Sequence, residues 1–404
     1  MPGRAAFHYS NFRFYMSARF LVTCATEMQA VAVGWQLYAL THRAIDLGLA
    51  GLAQFLPGIF LFLFSGHTAD RLPRQRIIQG CYAGFALCSL ALTALTLRGL
   101  ASPWPIYAVL LSNGCVRSFN GAAGQAFLPA LVPERHFPNA VAWSSSVFMA
   151  ATITGPAIGG LLYGFAGTPA VVYGCAASVY LIGLALVSLL RITAAPRARG
   201  VSTETVLGGL HYIWRNKLIL GAISLDLFAV LLGGAVGLLP IYAAEILKIG
   251  TRGLGILRAA PGAGALLMSV ALAYWPLRRH AGSAMLWCVA GFGAFTVVFG
   301  VSRSVPLSLA SLIAIGATDM VSVIVRQTMI QLETPDDMRG RVSAVNMLFV
   351  GASNEVGVFE SGLTAQWFGA VPAVVLGGVG TILIVAAWAK YFPALRRVEE
   401  LVKS

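Results

Sequence analysis

The sequence predicts an all-α membrane protein with twelve transmembrane helices, arranged as two pseudo-symmetric halves of six helices each. Composition gives the class: of 404 residues, 58% are hydrophobic and only 11% are charged, with a mean hydropathy of +0.78. A soluble globular chain carries about a quarter charged residues. A water-soluble fold of this size has too little polar surface to cover so many apolar side chains, so we expect the lipid bilayer to surround most of the chain.

The number of helices follows from apolar runs long enough to cross a membrane, which takes about 20 residues. The predicted spans cover residues 15–40, 47–69, 77–97, 104–131, 140–163, 169–190, 218–243, 254–275, 282–301, 305–331, 342–366 and 371–391. A polar stretch separates the sixth run from the seventh. We therefore predict an N-terminal half (1–191), a cytoplasmic linker (192–217) and a C-terminal half (218–404).

The two halves also repeat each other in sequence. An offset of 202 residues, the distance from Pro133 to Pro335, places a proline before an acidic residue in both halves. The same offset aligns Ala142 with Ala344, Gly155 with Gly357, and Gly160 with Gly362. Internal duplication of six spans is typical of secondary transporters, whose substrate site lies between the repeats.

Charge distribution predicts the orientation. The formal net charge is +13, and the arginines concentrate in the linker and in alternate loops, whereas the opposite loops carry few. By the positive-inside rule, both termini and the linker are then cytoplasmic. Because no nucleic-acid motif and no basic stretch interleaved with aromatics occurs, we expect no nucleic-acid partner.

The sequence lacks the residues that other classes of membrane protein require. All six cysteines fall inside apolar runs without a Cys-x-x-Cys pair, which argues against disulfides and metal. None of the four lysines follows a glycine, so no ATP-binding loop is present. The histidines lie at loops or span edges without a hydrolytic motif, so we expect neither an enzyme nor a cofactor. A receptor or scaffold built on a transporter fold remains an alternative.

The loop after the second span carries the first specific motif. It contains Gly66, Asp70, Arg71, Arg74 and Arg76. A glycine allows a neighbouring helix to pack closely, an aspartate can accept hydrogen bonds from a helix N-terminus, and arginines face cytosol and headgroups. The spacing resembles the conformational-switch loop of the major facilitator superfamily, Gly-x-x-x-Asp-Arg-x-Gly-Arg-basic. Two departures are Pro73 in place of glycine and Gln75 in place of a basic residue.

The fifth span contains a second motif, made of Gly155, Pro156, Gly159 and Gly160. Proline inside a helix frees a carbonyl, and the glycines permit a kink and close packing. The segment resembles the antiporter motif of exporting members of that superfamily, although its upstream glycines are replaced here. It is the one feature that favours export over uptake by symport or uniport, and a plain packing kink is the alternative.

Beyond these motifs, the resemblance covers the whole chain. Stretches that carry it include 19–20, 32–36, 69–71 and 335–342, and they are similar to the bacterial exporter group that contains enterobactin and macrolide efflux proteins. The resemblance implies the twelve-helix facilitator fold, alternating access, a bacterial inner-membrane location and proton-coupled export of a small organic molecule. The substrate does not carry over, and no pattern indicates an oligomeric state.

Charges inside predicted spans are the candidate binding residues, because each costs about 2.5–3.5 kcal/mol to insert and faces a protein interior or cavity. Asn113, Arg117 and Asn120 share one face of span four, and Asp319 and Arg326 share one face of span ten. Arg117 and Asp319 are separated by the repeat offset, so we predict that these five residues form a polar cavity wall. A structural ion pair between helices is the alternative.

A carboxylate within the membrane is what a proton-coupling step requires, because desolvation makes it retain a proton more readily. Glu27 in span one ranks first, Asp319 second and Glu355 third. The proton gradient is the predicted energy source. The alternative for each residue is a carboxylate that bonds to a neighbouring helix.

Overall fold

The structure is a computed structural model that describes residues 2–190, 203–275, 277 and 280–397. Within these ranges it is helical throughout and contains no strand. The helices are α1 (Ser10–Thr41), α2 (Ala44–Arg71), α3 (Arg74–Leu97), α4 (Trp104–Phe127), α5 (Phe137–Ala166), α6 (Pro169–Ser188), α7 (Thr203–Arg215), α8 (Lys217–Leu232), α9 (Leu239–Ile241), α10 (Gly250–Tyr274), α11 (Ala281–Val301), α12 (Val305–Glu333), α13 (Asp336–Phe368), α14 (Ala370–Tyr391) and α15 (Pro393–Arg396).

Most of these helices are suited to lipid. In the described residues, ten helical segments are long and apolar enough to cross a membrane. Helices α1 and α4 have the length, at 32 and 24 residues, but carry charged side chains such as Glu27 and Arg117. Large apolar side chains point outward, including Phe60 at 71%, Trp287 at 78% and Leu383 at 64% exposed. Lipid contact explains this exposure, and the predicted twelve-span all-α fold is confirmed.

Local chemistry explains where the helices begin and end. The Thr168 hydroxyl accepts from the Ala170 N–H at the start of α6, and the Asn216 side chain accepts from the Leu218 and Ile219 N–H groups in the first turn of α8. These caps satisfy N–H groups that have no partner within the helix. At its end, α5 is terminated by Gly167 at φ +69°, where glycine carries no Cβ penalty.

The seventh span is broken, whereas the apolar run predicted one continuous helix over 218–243. Helix α8 stops at Leu232, and the chain continues through Gly233 and Gly234 into a 3₁₀ turn, Ala235–Leu238. A Cβ at Gly234 would lie 2.5 Å from the Gly357 carbonyl oxygen, so α13 approaches the backbone at the break. Glycine leaves the apolar character of a run intact while removing helix propensity, which is why hydropathy did not reveal the interruption.

The chain forms two compact units, one of Met1–His42, Ala53–Val201 and Gly250–Ala259, the other of Arg43–Leu52, Ser202–Ile249 and Ala260–Ser404. Each has its own apolar core, around Tyr82 and Tyr180 in the first unit and around Met285 and Val325 in the second.

Repeat-equivalent glycines make equivalent contacts in the two units. In the first, a Cβ at Gly155 of α5 would lie 2.8 Å from the Cys24 carbonyl oxygen of α1. In the second, a Cβ at Gly357 of α13 would lie 2.9 Å from the Val230 carbonyl oxygen of α8. Helices α1 and α8 are the first spans of their sequence repeats. The aligned glycines of the two repeats therefore pack against corresponding helices.

The second aligned glycine pair behaves in the same way. A Cβ at Gly160 of α5 would lie 2.7 Å from the Gly255 Cα of α10, and a Cβ at Gly362 of α13 would lie 3.1 Å from the Gly48 Cα of α2. Helix α2 is the second span of the N-terminal repeat, and α10 is the second span of the C-terminal repeat. Small residues at all four positions let the helix backbones cross closely. Such close packing stabilises contacts between helices in lipid, where the hydrophobic effect does not drive helices together.

Half of the predicted linker is helical. Its residues 192–202 lie outside the described ranges, but α7 (Thr203–Arg215) forms most of the remainder and packs on α13. Ile213 is buried, and the Tyr212 hydroxyl donates to the Glu333 carbonyl oxygen at 2.9 Å. Interspersed apolar residues at helical spacing explain the difference, because they give the short helix one face to bury.

Candidate functional site

A charged cluster lies inside the second unit, where α8 meets α12. Arg326 of α12 forms an ion pair with Asp226 of α8, and their side chains are only 3% and 7% exposed. Asp226 belongs to the charges that the sequence places in spans, but it was absent from the predicted site. The structure therefore adds it to Asp319 and Arg326.

Asp319 and Asp226 line one cavity within this unit. The cavity is small, with a volume of about 10 Å³, which is room for about one water molecule, and its other walls come from Ala229, Val230, Val289, Phe292 and Ser322. Asp319 is partly exposed there. In the described part of the chain, its carboxylate makes neither a hydrogen bond nor an ion pair.

The charge balance of the cluster is therefore uneven. Arg326 neutralises Asp226, and α11, the described helix that contributes Val289 and Phe292, carries no charged side chain. When Asp319 is ionised, the cluster has one uncompensated negative charge inside a membrane span. Such a charge is expensive unless a proton or a cation neutralises it.

Glu27, the first-ranked proton carrier, lies in a different setting within the first unit. Its Oε2 is 3.9 Å from Nε of Arg258, and both side chains are about a quarter exposed, at 24% and 26%. Arg258, the one charged residue in the predicted span 254–275, was not among the predicted site residues. Glu27 therefore has a charge partner, in contrast to Asp319.

The antiporter-like kink lies directly beside this pair. A Cβ at Gly155 would lie 2.7 Å from the Glu27 Cβ, and one at Gly159 would lie 2.7 Å from the Met28 Cα. On the other side, a Cβ at Gly255 of α10 would lie 2.5 Å from the Pro156 carbonyl oxygen. The motif is thus a tight crossing of α1, α5 and the start of α10, and it brings together two groups of residues that were predicted separately.

The predicted residues of span four keep their shared helical face, but their surroundings differ. Asn113 is buried at 4% exposure, Asn120 is half-buried and Arg117 is exposed. Arg117 belongs to the first unit and Asp319 to the second. Their proposed pairing stays a prediction.

Glu355, the third candidate for proton coupling, lies on α13 in the second unit. Its Oε2 is 3.3 Å from the position that a Cβ at Gly51 of α2 would occupy. Its proton-coupling role also stays a prediction.

The switch loop is partly described. The side chain of Asp70 lies outside the described residues, while Arg71 and Arg76 are exposed and Arg74 is half-buried. A Cβ at Gly66 would meet no atom of the described residues within 4 Å, and the close-packing role expected of this glycine stays a prediction.

Gln75, which replaces a basic residue of the superfamily pattern, has a structural role. Its Nε2 donates to the carbonyl oxygens of Val187 at 2.9 Å and Leu190 at 3.0 Å. The Val187 carbonyl lies in the last turn of α6 and also accepts from the Leu190 N–H at 3.2 Å, and the Leu190 carbonyl lies two residues beyond the helix end. An amide, which offers two donors without charge, thus ties the start of α3 to the end of α6.

We expect Gln75→Ala to destabilise the protein by about 1–3 kcal/mol, because the Leu190 carbonyl loses its side-chain donor and the Val187 carbonyl keeps only backbone donors such as the Leu190 N–H at 3.2 Å. Thermal unfolding in detergent measures the effect. Gln79→Ala is the matched control, since its amide donates to the exposed Ser188 hydroxyl at 3.1 Å and water can replace it. Equal unfolding midpoints for the two variants would refute the capping role.

Comparison with known proteins places this architecture in a family. The model of the family described as transmembrane secretion effector (MFS_3) matches residues 3–404. Among curated proteins, the enterobactin exporter EntS of Shigella dysenteriae is 28% identical over 383 residues, covering 92% of this chain and 86% of the relative. EntS of an Escherichia coli strain matches with the same identity and coverage.

Solved structures agree on the fold. A bacterial homologue of the lysosomal transporter Spinster, in an inward-facing and unoccupied conformation, superposes with a TM-score of 0.75 at 13% identity, covering 96% of this chain and 97% of that one. The nucleoside transporter NupG superposes with a TM-score of 0.74 at 14% identity, covering 95% and 99%. These members are transporters and not enzymes. The chain therefore belongs to the transmembrane secretion effector family of the major facilitator superfamily and is a multi-pass membrane transporter.

Proposed function

We propose that the protein is a proton-driven exporter that moves a small organic molecule out of the cytoplasm across a bacterial inner membrane. The observation that carries this proposal is Asp319, a membrane carboxylate without a partner in the described part of the chain, next to the neutralised Asp226–Arg326 pair.

A carboxyl group in this position can be either protonated or ionised. When protonated, it is neutral and suits the low-dielectric surroundings; when ionised, it needs another positive ligand. A helix bundle that exposes Asp319 alternately to the two sides of the membrane would therefore take up a proton outside and release it inside. We place Asp319 ahead of Glu27 for this role, because Glu27 has Arg258 as a charge partner, whereas Asp319 has no charge partner in the described part of the chain.

The outward direction is supported by two observations. The kinked segment Gly155–Gly160 resembles the antiporter motif of exporters, and the curated relatives at 28% identity are named exporters. An inward proton gradient can drive a substrate outward only if proton and substrate move in opposite directions, which a single shared carboxylate achieves by binding one at a time.

Efflux of a panel of fluorescent dyes and organic metabolites, from cells that lack their own pumps, tests the proposal. We expect efflux of at least one compound to stop on addition of a protonophore, and Asp319→Asn to abolish it while the protein remains in the membrane. The control is Glu360→Gln, which keeps an acceptor for the Thr364 hydroxyl, now 2.7 Å from Glu360 Oε1. Efflux that survives either the protonophore or Asp319→Asn would overturn proton coupling through this residue.

A further inference from the structure

We propose that the exposed side of α7 is a binding site for the headgroup of an anionic phospholipid. This surface, called here the α7 outer face, consists of His211, Trp214 and Arg215, with Lys217 of α8 and Arg341 of α13 at its edges. The inference concerns the bilayer around the protein, and it depends neither on the transported substrate nor on proton coupling.

Helix α7 has one buried side and one exposed side. Gly209 and Ile213 are four residues apart and are buried on the side that packs on α13. His211, Trp214 and Arg215 are spaced by three and four residues, so they lie together on the opposite side, and all three are exposed. The large apolar ring of Trp214 is 71% exposed. Packing within the protein therefore does not account for this tryptophan.

The α7 outer face lies close to the surface of the membrane. Trp214 is three residues before Lys217, where a segment suited to crossing a membrane begins (Lys217–Ile246). Three residues span at most about 11 Å, so the backbone of Trp214 lies within that distance of the start of the span. At the same level, the Tyr212 hydroxyl donates to the carbonyl oxygen of Glu333, the last residue of α12, at 2.9 Å.

Other exposed aromatic residues mark the same boundary. Trp275 follows the last residue of α10, Tyr391 is the last residue of α14, and both side chains are exposed. Because consecutive spans cross the membrane in opposite directions, α10 and α14 end on the side where α8 begins. Tryptophan and tyrosine concentrate at membrane–water interfaces, where the ring packs among lipids and its polar atom stays hydrated. Trp214 is thus placed to insert between lipid headgroups.

The charge beside Trp214 is positive. Residues 208–217 contain Arg215 and Lys217 and no acidic residue. Both side chains are exposed, and neither makes a hydrogen bond or an ion pair with the residues that the structure describes. Basic residues at a membrane surface attract anionic lipids.

Arg341 of α13 extends this positive surface. Its Nη1 lies 3.4 Å from the position that a Cβ at Gly208 would occupy, and Gly208 is seven residues before Arg215, on the same stripe of α7. Glu333, which is also exposed, adds one opposing charge. Among the described side chains, three cations then stand against one carboxylate, which favours an anionic headgroup over a neutral one.

A phospholipid fits these features better than a soluble phosphate does. The arginine guanidinium offers paired donors that match the oxygens of a phosphate in either molecule. An exposed indole adds affinity only where acyl chains and glycerol lie beside the phosphate, as they do in a bilayer.

Native mass spectrometry of the full-length protein in detergent tests the proposal. The probes are phosphatidylglycerol, phosphatidylcholine with the same acyl chains, and inorganic phosphate. We expect tighter binding of phosphatidylglycerol than of phosphatidylcholine. This preference should weaken as ammonium acetate rises from about 50 to about 500 mM, because salt screens exposed charges.

Two variants separate the charges from the indole. Arg215→Gln with Lys217→Gln should weaken the binding of one phosphatidylglycerol about tenfold or more and leave phosphatidylcholine binding unchanged. Trp214→Ala should weaken the binding of both lipids, since the indole contacts any headgroup. Because these residues are exposed, we expect both variants to keep the wild-type thermal midpoint, which shows that lost binding is not caused by unfolding.

The matched control is Arg13→Gln with Arg135→Gln. It removes the same charge from two exposed positions that have no exposed tryptophan beside them in the sequence, and it should keep wild-type phosphatidylglycerol binding. Equal losses in the two double variants would attribute binding to net charge and overturn the site. Wild-type binding of phosphatidylglycerol by Arg215→Gln with Lys217→Gln, or equal binding of inorganic phosphate and phosphatidylglycerol, would overturn it as well.

Discussion

Arg326→Met should lower the thermal unfolding midpoint by about 5–10 °C, since removing one partner of a buried ion pair costs about 3–5 kcal/mol. The substitution leaves Asp226 in apolar surroundings, 7% exposed and without its counter-charge. It must then remain ionised without a partner or take up a proton, and either state destabilises the fold. A dye that reacts with thiols upon unfolding measures this midpoint, because Cys24, Cys81 and Cys88 are buried.

The control for this prediction is Arg13→Met. Arg13 is exposed and its guanidinium donates to the Ser10 hydroxyl at 3.1 Å on the surface, so we expect a change within about 0.5 kcal/mol. The double variant Asp226→Leu with Arg326→Met should regain much of the lost stability, because apolar residues can replace a buried ion pair at little cost. Identical midpoints for Arg326→Met and Arg13→Met would contradict the buried pair.

The spans of this protein could be predicted from sequence because lipid imposes a simple requirement. A helix that faces hydrocarbon must be apolar over about 20 residues, and every such run except the interrupted seventh became one long helix. The break at Gly233 and Gly234 escaped prediction, because it depends on α13 approaching at Gly357. Such an approach is a property of tertiary packing.

The candidate site was partly predictable for a related reason. The cost of burying charge singles out Glu27, Asp319 and Arg326 from the sequence. Asp226 also lies in a predicted span but was not among the predicted site residues. Sequence does not reveal which of them pair. Asp226 and Arg326 are 100 residues apart, and only the packing of α8 on α12 joins them. That pairing decides which carboxylate remains uncompensated, and it moves Asp319 ahead of Glu27 in the proposed mechanism.

The repeat offset had more predictive value than its few identities indicated. Gly155 and Gly357 both lie against the first span of a repeat, and Gly160 and Gly362 both lie against the second. Sequence comparison identified these four positions without their contacts. Glycine is required at them for one physical reason, namely close passage of two backbones.

Substitution of Gly160 should therefore impair export more than any change at an open glycine. A Cβ there would lie 2.6 Å from the Thr251 carbonyl oxygen and 2.7 Å from the Gly255 Cα, and both are backbone atoms that cannot rotate away. For Gly160→Ala we expect a stability loss of about 1–3 kcal/mol, the usual cost of overpacking. Efflux per molecule of membrane-inserted protein should fall about tenfold where about 1.4 kcal/mol of this cost falls on only one conformation of the transport cycle, since that energy shifts an equilibrium between two conformations by this factor.

A graded series separates this steric effect from loss of flexibility. At Gly362 the nearest backbone atoms would lie 3.0 Å from a new Cβ, so Gly362→Ala should have a smaller effect than Gly160→Ala. Gly174 lies within α6 and a Cβ there would meet nothing within 4 Å, so Gly174→Ala should be neutral or stabilising by up to about 1 kcal/mol. Because alanine stiffens a helix equally at all three positions, equal losses would attribute the effect to flexibility. The order Gly160, Gly362, Gly174 would instead show that export depends on how closely α5 approaches α1 and α10, where Glu27 and Arg258 meet.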